Sequence, residues 1–227
     1  MRALVLRFEA LMMSFGGPIV DHNNYTDRFP GTSMLTGMIG NAMGWKHRDV
    51  NKLQALQDSI QYAARWDRDP ELLVEYQTAD LGQPSLAKPG WTTRGDDESR
   101  GGGPAKRGTH QRYRHYWVDG LMTVALHGDI TTIRHALDHP VRPLFIGRKS
   151  CIPLRHVVDD YTEGENLFDI IRDIPLSWGS EGPRPSCWPA QLGEDRGEIR
   201  RVYDLRDWKA GLPAGSRLRR EGAIMCI

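Results

Sequence analysis

Residues 3–8, Ala-Leu-Val-Leu-Arg-Phe, give the first indication of the fold class. Leu4, Leu6 and Phe8 alternate with the residues between them, so successive side chains fall on opposite faces in a period of two. This alternation is typical of a strand with one buried face. We therefore predict a first, half-buried β-strand over residues 3–8.

Beyond this strand, helical and strand patterns follow one another. Ser33 is suited to cap a helix that Gly44 can end. The other predicted elements are a short helix at 51–57, strands at 60–66 and 72–76 joined as a hairpin by 67–70, strands at 110–117 and 121–126, and a helix that Asp129 caps and that ends near 139. The order of strand, helix, strand, strand, helix and a further strand predicts an α+β, ferredoxin-like fold, which RNA-recognition modules also use.

The composition divides the chain into three parts. Residues 1–80 and 111–150 form the predicted body, and 81–110 form a Gly-rich segment that is too long and polar for an ordinary connection. We expect this segment to protrude. From 151 to 227 the pattern is irregular, and a β-rich elaboration is predicted. Strands are expected at 145–152, 168–174 and 198–205, with a loop-like stretch at 175–197.

The composition also excludes several classes of protein. Lys and Arg number 30 against 29 Asp and Glu, so the chain is neither a polybasic tail nor an acidic disordered segment. The longest apolar runs are about four residues, far short of the ~20 that span a bilayer. We expect a cytoplasmic protein with no membrane partner. Cys151, Cys187 and Cys226 form no CxxC pair, so they are expected to be reduced and structural, and neither a metal nor another cofactor is predicted.

The strand predicted at 110–117 is the first candidate for binding. Arginine neutralises phosphate and aromatic rings stack on unpaired bases, which is the combination expected for single-stranded RNA. A solvated edge strand explains the same residues equally well, because its cations prevent aggregation and its rings reach the core. In a strand, one face carries His110, Arg112, Arg114 and Tyr116, and the other carries Gln111, Tyr113, His115 and Trp117.

A second candidate is the stretch Phe-Ile-Gly-Arg-Lys-Ser-Cys at 145–151. Gly147 permits a backbone to approach a ligand closely, and Arg148, Lys149 and Ser150 can hold phosphate oxygens. A tight turn with two solvated cations is the alternative, because short Gly-basic strings are common.

A third candidate is Arg-Phe-Pro-Gly-Thr-Ser at 28–33. Arg28 lies just before a helix start, which attracts phosphate through its free N–H groups and its dipole. Simple capping by Ser33 is the alternative. Gly37 and Gly40 lie inside the helix, where they indicate that another backbone approaches closely.

Catalytic signatures are weak. The chain has no GxSxG motif, and His135 and His139 stand one helical turn apart without a third metal ligand. A metal-independent ribonuclease needs a base for the 2′-hydroxyl and a cation for the phosphorane, and His110 and Lys106 can supply them with help from Tyr25. Positioning or surface roles explain all three residues as well.

Three motifs occur together in a familiar order and spacing: Arg-Phe-Pro-Gly-Thr-Ser at 28–33, Leu-Gln-Ala-Leu-Gln at 53–57 and Gly-Arg-Lys-Ser-Cys at 147–151. On these motifs, the chain resembles the CasD family of type I-E CRISPR Cascade subunits, the fifth Cas family in the RAMP superfamily. The similarity runs from the first strand to about residue 155, and 81–108 falls where that family has its thumb.

The resemblance implies a ferredoxin-like RAMP body with a protruding thumb, in a non-catalytic subunit that holds the 5′ handle of the CRISPR guide RNA and caps the backbone filament. The implied partners are the guide RNA, the Cascade backbone subunits and the large subunit, with target DNA contacted only through the guide in antiviral defence. The alternative is a metal-independent endoribonuclease that processes CRISPR repeat RNA. By position, the resemblance implies RNA contacts from Arg28, Ser33, Arg148, Lys149 and Ser150 on the body and from Arg107, Gln111 and Arg112 on the thumb side.

Overall fold

The first strand lies within a seven-stranded sheet in a computed structural model, which describes residues 1–80, 90–91, 97–98, 109–176, 181–193 and 196–226. The helices within these residues are α1 (Thr32–Ala42), α2 (Val50–Ser59), α3 (Ile130–Asp138) and α4 (Leu167–Asp173). The strands are β1 (Arg2–Glu9), β2 (Ile19–Val20), β3 (Asn23–Asn24), β4 (Gln61–Arg68), β5 (Glu71–Asp80), β6 (Gly90–Trp91), β7 (Asp97–Glu98), β8 (Thr109–Val118), β9 (Leu121–His127), β10 (Val158–Glu163), β11 (Arg184–Pro189), β12 (Glu198–Val202), β13 (Arg206–Asp207), β14 (Leu212–Pro213) and β15 (Arg217–Ile224).

The large sheet has the strand order β10-β1-β9-β4-β11-β15-β12, and every neighbouring pair in it is antiparallel. The strands β10, β1, β9 and β4, which come from the first 163 residues, make up one side of the sheet. The chain after residue 163 contributes β11, β15 and β12, which continue the same sheet. The protein therefore mixes helices with a predominantly antiparallel strand framework.

The strand β1 is buried on both faces, so the prediction of a half-buried strand is wrong. Leu4, Leu6 and Phe8 belong to a core that also contains residues of α1 and α3. Ala3 and Val5 belong to a second core, which contains residues of α4. The alternation correctly separates these two sets of side chains, but the sequence of the strand does not reveal that a helix covers its second face.

Both strands predicted at 60–66 and 72–76 exist, as β4 and β5, but the predicted hairpin between them is wrong. β4 pairs with β9 and β11 in the large sheet, whereas β5 pairs with β8 in a small sheet. Asp67, predicted as a turn residue, is fully buried inside β4 and accepts hydrogen bonds from Arg7 at 2.8 Å and Arg65 at 2.7 Å. These buried ion pairs fix Asp67 in the strand, and the chain leaves the large sheet only after Arg68.

The predictions for residues 145–205 are partly wrong. Residues 145–152 form an irregular loop rather than a strand, residues 168–174 lie mostly in helix α4, and the stretch predicted as a loop at 175–197 contains β11. The strand predicted at 198–205 is confirmed as β12. Asn166 explains α4, because its side chain accepts hydrogen bonds from the N–H groups of Phe168 and Asp169 at 2.9 and 3.1 Å. A short apolar run is otherwise ambiguous between strand and helix.

The three helices predicted in the body are confirmed as α1, α2 and α3, and each bound lies within about two residues of its prediction. The Asp129 side chain caps α3 by accepting a hydrogen bond from the N–H of Thr132 at 3.2 Å. Gly44 follows the end of α1 with φ of +76°, a conformation that favours glycine. The helix ends are thus encoded locally.

The small sheet has the order β2-β3-β8-β5, and β5 and β8 pair over ten residues, from Glu71 opposite Val118 to Asp80 opposite Thr109. Two further pairs of two-residue strands, β6–β7 and β13–β14, complete the described strands. None of the helices in the described ranges is long and apolar enough to cross a bilayer.

Candidate functional site

An open cleft of about 910 Å³ lies between helix α1, the segment 142–149 and the start of the β13–β14 hairpin. Its lining includes five Lys or Arg side chains and, among the residues that the structure describes, no Asp or Glu. These cations are Lys46, Arg142, Arg148, Lys149 and Arg206. A cleft lined by one sign of charge concentrates ligands of the opposite sign. The cleft is therefore suited to a polyanion.

Arg142 and Arg206 are two of the cleft cations that are anchored by backbone carbonyl groups. The Arg142 guanidinium donates a hydrogen bond to the carbonyl oxygen of Trp45. The Arg206 guanidinium donates to the carbonyl oxygen of Gly211 at 2.6 Å, and its Cζ lies 5.4 Å from the centre of the Trp208 ring. These hydrogen bonds hold both guanidinium groups in place at the cleft.

The loop that carries Arg148 and Lys149 is built on a close backbone contact. Gly147 has φ of +92°, and a Cβ at this position would lie 1.5 Å from the carbonyl oxygen of Ser14. The N–H of Ser14 donates to the carbonyl oxygen of Ile146 at 3.2 Å. Gly147 is therefore required by the protein's own backbone. It also lines the cleft, so its close approach to a ligand stays a prediction.

Arg148 and Lys149 have different environments. The Arg148 guanidinium donates to the carbonyl oxygens of His115 at 3.1 Å and Asn24 at 3.0 Å, so it joins the loop to β8 and β3. Lys149 is exposed and lines the cleft. Ser150 is also exposed but lies outside the cleft lining. Lys149 is thus the cation of this loop most available to a ligand.

The start of α1 is occupied by a carboxylate from the last third of the chain, so the prediction that Ser33 caps this helix is wrong. The residue at the cap is Gly31. The Asp204 carboxylate accepts a hydrogen bond from the N–H of Thr32 at 2.9 Å, and the Asp204 carbonyl oxygen accepts one from the N–H of Ser33 at 3.0 Å. These N–H groups are therefore already satisfied within the chain. Ser33 itself lines the cleft.

The glycines inside α1 contact side chains, not another backbone, which corrects the prediction made from the sequence. A Cβ on Gly40 would lie 2.7 Å from a methyl group of Leu53 in α2. A Cβ on Gly37 would meet only the Trp208 ring, at 3.9 Å, and Gly37 lines the cleft. Gly40 thus permits the packing of α1 on α2. Gly37 has no side chain that would extend from α1 into the cleft.

Arg28 is exposed on a turn whose backbone is held by aromatic donors. The indole N–H groups of Trp117 and Trp66 donate to the carbonyl oxygens of Asp27 and Arg28 at 2.7 and 3.1 Å. The Tyr62 hydroxyl donates to the carbonyl oxygen of Pro30. A fixed backbone presents the Arg28 side chain in a defined place, although this side chain does not line the cleft.

The carboxylate of Asp27 sits in the same turn beside a buried cation. Burial raises the pKa of Asp27 above its ordinary value, and the nearby Arg219 opposes this effect. The Arg219 guanidinium is 3.6 Å from the Asp27 carboxylate and is also paired with Glu221. The turn is therefore linked to β15 by charge as well as by packing.

The residues predicted on the thumb side are separated by the geometry of β8. Gln111 and Arg112 are consecutive in this strand, so their side chains point to opposite faces of the small sheet. Arg107 lies outside the described residues, as does Lys106. The structure thus brings Ser33, Arg148 and Lys149 together at the cleft and places Arg28, Ser150, Gln111 and Arg112 elsewhere on the described surface.

The residues considered for ribonuclease chemistry do not converge in the described part of the chain. The ring of Tyr25 contacts that of His115, with centroids 4.7 Å apart, while His110 lies against His22 at 6.1 Å. His110 and His115 project from opposite faces of β8. Over the described ranges, no group of three or more His, Cys, Asp or Glu side chains is arranged to hold a metal ion.

Sequence reasoning missed several residues of the cleft. Lys46, Arg142, Arg206 and Trp208 are far apart in the chain and carry no recognisable motif. The fold alone brings them together, through the packing of the 141–143 segment on α1 and of the β13–β14 hairpin on α2. Two hydrogen bonds show this packing: Asn41 to the carbonyl oxygen of Pro143 at 2.9 Å, and the Trp208 indole to Gln57 at 3.1 Å.

Comparison with known proteins places this geometry in a family. Residues 3–220 match the family described as CRISPR-associated protein (Cas_Cas5). The chain belongs to this Cas5 family. It is 32% identical over 159 residues to the CRISPR system Cascade subunit CasD of Escherichia coli (strain K12), an alignment that covers 67% of each protein.

Solved structures support the same fold for this Cas5 chain. A chain from a CRISPR RNA-guided surveillance complex superposes with a TM-score of 0.72 at 22% identity, over 99% of this protein and 90% of that chain. A crystal structure of a Cas protein superposes with a TM-score of 0.66 at 20% identity, over 98% and 95% of the two chains. At these identities the likeness establishes the fold.

Proposed function

We propose that this Cas5 protein is a non-catalytic subunit of a type I-E Cascade surveillance complex and holds the 5′ handle of the CRISPR guide RNA in the cationic cleft. The observation that carries the proposal is the lining of the cleft, which has five Lys or Arg side chains and no acid among the described residues. RNA binding depends on such neutralisation of backbone phosphates. The similarity to the Cascade subunit CasD supports Cascade as the complex to which this protein belongs.

The residue types that line the cleft suit a single strand rather than a duplex. Aromatic side chains lie among the cations of the lining, where they can contact unpaired bases while the cations hold phosphates. A duplex would present only its backbone and shallow groove to such a cleft, because its bases are already stacked and paired. The aromatic residues of the lining whose side chains are partly exposed are Trp45, Phe145 and Trp208, whereas Phe15 is buried in the core.

The body is inferred to be ferredoxin-like, and its strand order supports this. In the order β10-β1-β9-β4, the two inner strands are the first and third of the four along the chain, with all neighbours antiparallel. Helices connect β1 to β4 and β9 to β10. On this interpretation the body includes β10, and β11, β15 and β12 are an elaboration of its sheet.

Outside the cleft, the proposal assigns RNA contacts to further cations. Arg28 is exposed on its rigid turn, and Arg112 projects from β8, so both can neutralise phosphates of a strand that leaves the cleft. Gln111 and Ser150 remain proposed contacts on the same grounds of exposure. Arg107 is retained from the resemblance alone. The small sheet, with the segment 81–110, would form the thumb beside the RNA.

A non-catalytic role is proposed because the described candidates for acid–base chemistry are divided between two faces of β8. Cleavage next to a 2′-hydroxyl needs its base and its phosphate-stabilising cation within hydrogen-bond reach of one phosphate. Lys106, the candidate cation, lies outside the described residues. The helper Tyr25 and the candidate base His110 do not lie together, since Tyr25 contacts the ring of His115 on the opposite face. Guide-RNA processing would then belong to another subunit.

The proposal is tested by mixing the purified protein, in EDTA, with labelled CRISPR repeat RNA and with mature guide RNA. We expect the guide RNA to be retained uncut and its affinity to fall in Lys149→Ala. The same measurement is made with the partner subunits added, because the site can be completed by the assembly. Specific cutting within the repeat would instead establish the endoribonuclease. Equal RNA affinity of the wild type and Lys149→Ala in the assembly would show that the cleft is not the RNA-binding site.

A further inference from the structure

The small sheet has one face on which aromatic side chains lie side by side. β5 and β8 pair without interruption, so Tyr76 is opposite Tyr113 and both project from the same face. The centroids of these two rings are 5.0 Å apart. His115 lies two residues further along this face, and the ring of Tyr25 contacts it at 4.7 Å. We call these four residues, Tyr25, Tyr76, Tyr113 and His115, the aromatic face.

The aromatic face is open to solvent. Tyr76 is 52% exposed, Tyr25 is 40% exposed and Tyr113 is 38% exposed, which is unusual for three neighbouring aromatic residues. Leu72 and Val74 extend the same face toward the large sheet and are exposed as well. Exposure of such an apolar surface to water is unfavourable, and a ligand that covers the surface removes this cost.

The described side chains of this face carry no Lys, Arg, Asp or Glu. On β5 the face presents Leu72, Val74, Tyr76 and Thr78, and on β8 it presents Gln111, Tyr113, His115 and Trp117. A phosphate backbone would find no countercharge on these side chains, whereas the uncharged π-face of a base would find a matching surface. The chemistry therefore suits bases rather than phosphates.

Arg148 lies where the cationic cleft meets the β3–β8 edge of the small sheet. Its guanidinium lines the cleft and donates hydrogen bonds to the carbonyl oxygens of Asn24 and His115. Asn24 directly precedes Tyr25, and His115 is itself part of the aromatic face. The Arg148 guanidinium lies over the ring of Tyr116, on the face of β8 opposite to the aromatic face, so a strand that leaves the cleft crosses the β3–β8 edge before it reaches Tyr25 and His115. The distance at this edge is small, because Gly16 lines the cleft and a Cβ on the adjoining Gly17 would lie 3.0 Å from the carbonyl group of Tyr25.

We propose that the aromatic face is a stacking platform for unpaired bases of the RNA strand that leaves the cleft, an inference that rests on the proposed function. Phosphates bind the cations of the cleft, and the bases that follow lie on the exposed tyrosine rings. Stacking on a ring tolerates any base, because every base has a π-face. The platform thus contributes affinity and fixes the path of the strand without selecting its sequence.

The test compares RNA affinity and its salt dependence in variants of the exposed tyrosines. In Tyr76→Ala and Tyr113→Ala we expect about tenfold weaker binding of mature guide RNA, since each removes a stacking surface. The slope of affinity against salt should stay unchanged, because no phosphate contact is removed. Tyr76→Phe should bind like the wild type. The matched control is Tyr203→Ala, which removes a 78% exposed tyrosine far from β5 and β8 in the sequence.

A second arm changes the RNA instead of the protein. Guide RNAs that lack the base at one handle position at a time keep every phosphate. At the stacked position, the wild type should lose about tenfold in affinity, and Tyr76→Ala or Tyr113→Ala should lose nothing more. Thermal unfolding of each variant verifies that the fold is retained.

The outcomes separate the platform from the proposed function. If both alanine variants bind RNA like the wild type while Lys149→Ala binds more weakly, the platform is refuted and the cleft stands. If Lys149→Ala also has no effect on RNA affinity in the assembly, RNA binding in the cleft is refuted. Base stacking on the aromatic face is then refuted as well, because it depends on a strand that leaves the cleft. If Tyr76→Ala binds RNA normally but no longer joins the Cascade subunits, the face docks a protein and the platform is overturned.

Discussion

Gly147 approaches Ser14 so closely that a Cβ on residue 147 would lie 1.5 Å from the carbonyl oxygen of Ser14. The contact joins the loop that carries Arg148 and Lys149 to the segment that follows β1. The neighbouring hydrogen bond from the N–H of Ser14 to the carbonyl oxygen of Ile146 fixes the same pair of backbones. Gly147 thus positions the two cleft cations that follow it through a contact within the protein's own backbone.

Replacement of this glycine should separate the two backbones. In Gly147→Ala we expect a loss of about 3 kcal/mol or more in the free energy of unfolding, because the added methyl overlaps a backbone atom and φ is positive. Urea unfolding measures the loss. Gly182→Ala is the matched control, since Gly182 also has positive φ but has no atom within 4 Å of an added Cβ. It should cost only about 1 kcal/mol. Equal losses would show that the contact with Ser14 is unimportant.

Arg148 and Lys149 should respond differently to alanine substitution. Lys149 is exposed, so Lys149→Ala should leave thermal stability unchanged, weaken guide-RNA binding by about fourfold and lower the salt slope by about 0.7. Arg148→Ala should weaken binding and also lower thermal stability, since the carbonyl oxygens of Asn24 and His115 lose their donor. Both are measured by RNA titration at several salt concentrations together with thermal unfolding.

The control for these two variants is Arg155→Ala, which removes an exposed cation outside the cleft. It should leave both the affinity and its salt slope at the wild-type values. A loss of affinity in Arg155→Ala equal to that in Lys149→Ala would indicate that the total charge matters rather than the cleft.

Much of the fold follows from local patterns, and the failures have a common cause. The strands of the body and helices α1 to α3 are visible in the sequence because periodicity and capping residues such as Asp129 act over a few positions. The hairpin prediction at 67–70 failed because Asp67 looks like a turn residue, while its buried ion pair with Arg7 comes from β1, 60 residues away in the sequence. Helix α4 was missed because a segment of only seven residues, Leu-Phe-Asp-Ile-Ile-Arg-Asp, is too short to show a clear period.

The candidate site was found in part for the same reason. The motif at 147–151 identified Arg148 and Lys149, because these cations are adjacent in the sequence. Arg206 and Trp208 could not be found, since they reach the cleft only when the β13–β14 hairpin packs against Gln57 of α2. Sequence motifs thus reveal one wall of the cleft, and tertiary packing supplies the others.

Asp204 connects the last third of the chain to the cleft wall, and its removal should be costly. Its buried carboxylate accepts hydrogen bonds from the N–H of Thr32 at 2.9 Å and from the Arg217 guanidinium at 2.8 Å. We expect Asp204→Ala to lose about 3 kcal/mol or more, because it leaves Arg217 without its ion-pair partner. Asp204→Asn should lose less, since its amide oxygen still accepts the helix N–H.

Urea unfolding distinguishes these Asp204 variants from a control at the surface. Asp160, whose side chain is 82% exposed, provides it. Asp160→Ala should change the free energy of unfolding by no more than about 0.5 kcal/mol. If Asp204→Ala is as stable as this control, the last third of the chain does not secure α1.

Asp27 should make stability depend on pH with a sign opposite to that of an ordinary ion-paired carboxylate. Burial raises its folded-state pKa above the ordinary 3.8, despite the nearby Arg219. The folded state therefore binds this proton more tightly than the unfolded state, so stability falls as pH rises from 3.8 through the folded-state pKa. Asp27→Asn carries no titrating proton. The free energy of unfolding of Asp27→Asn, relative to that of the wild type, should increase between pH 3.8 and the folded-state pKa of Asp27 and then remain constant. Urea unfolding at a series of pH values measures this difference. A relative stability that decreases with pH would show that the ion pair with Arg219 outweighs burial.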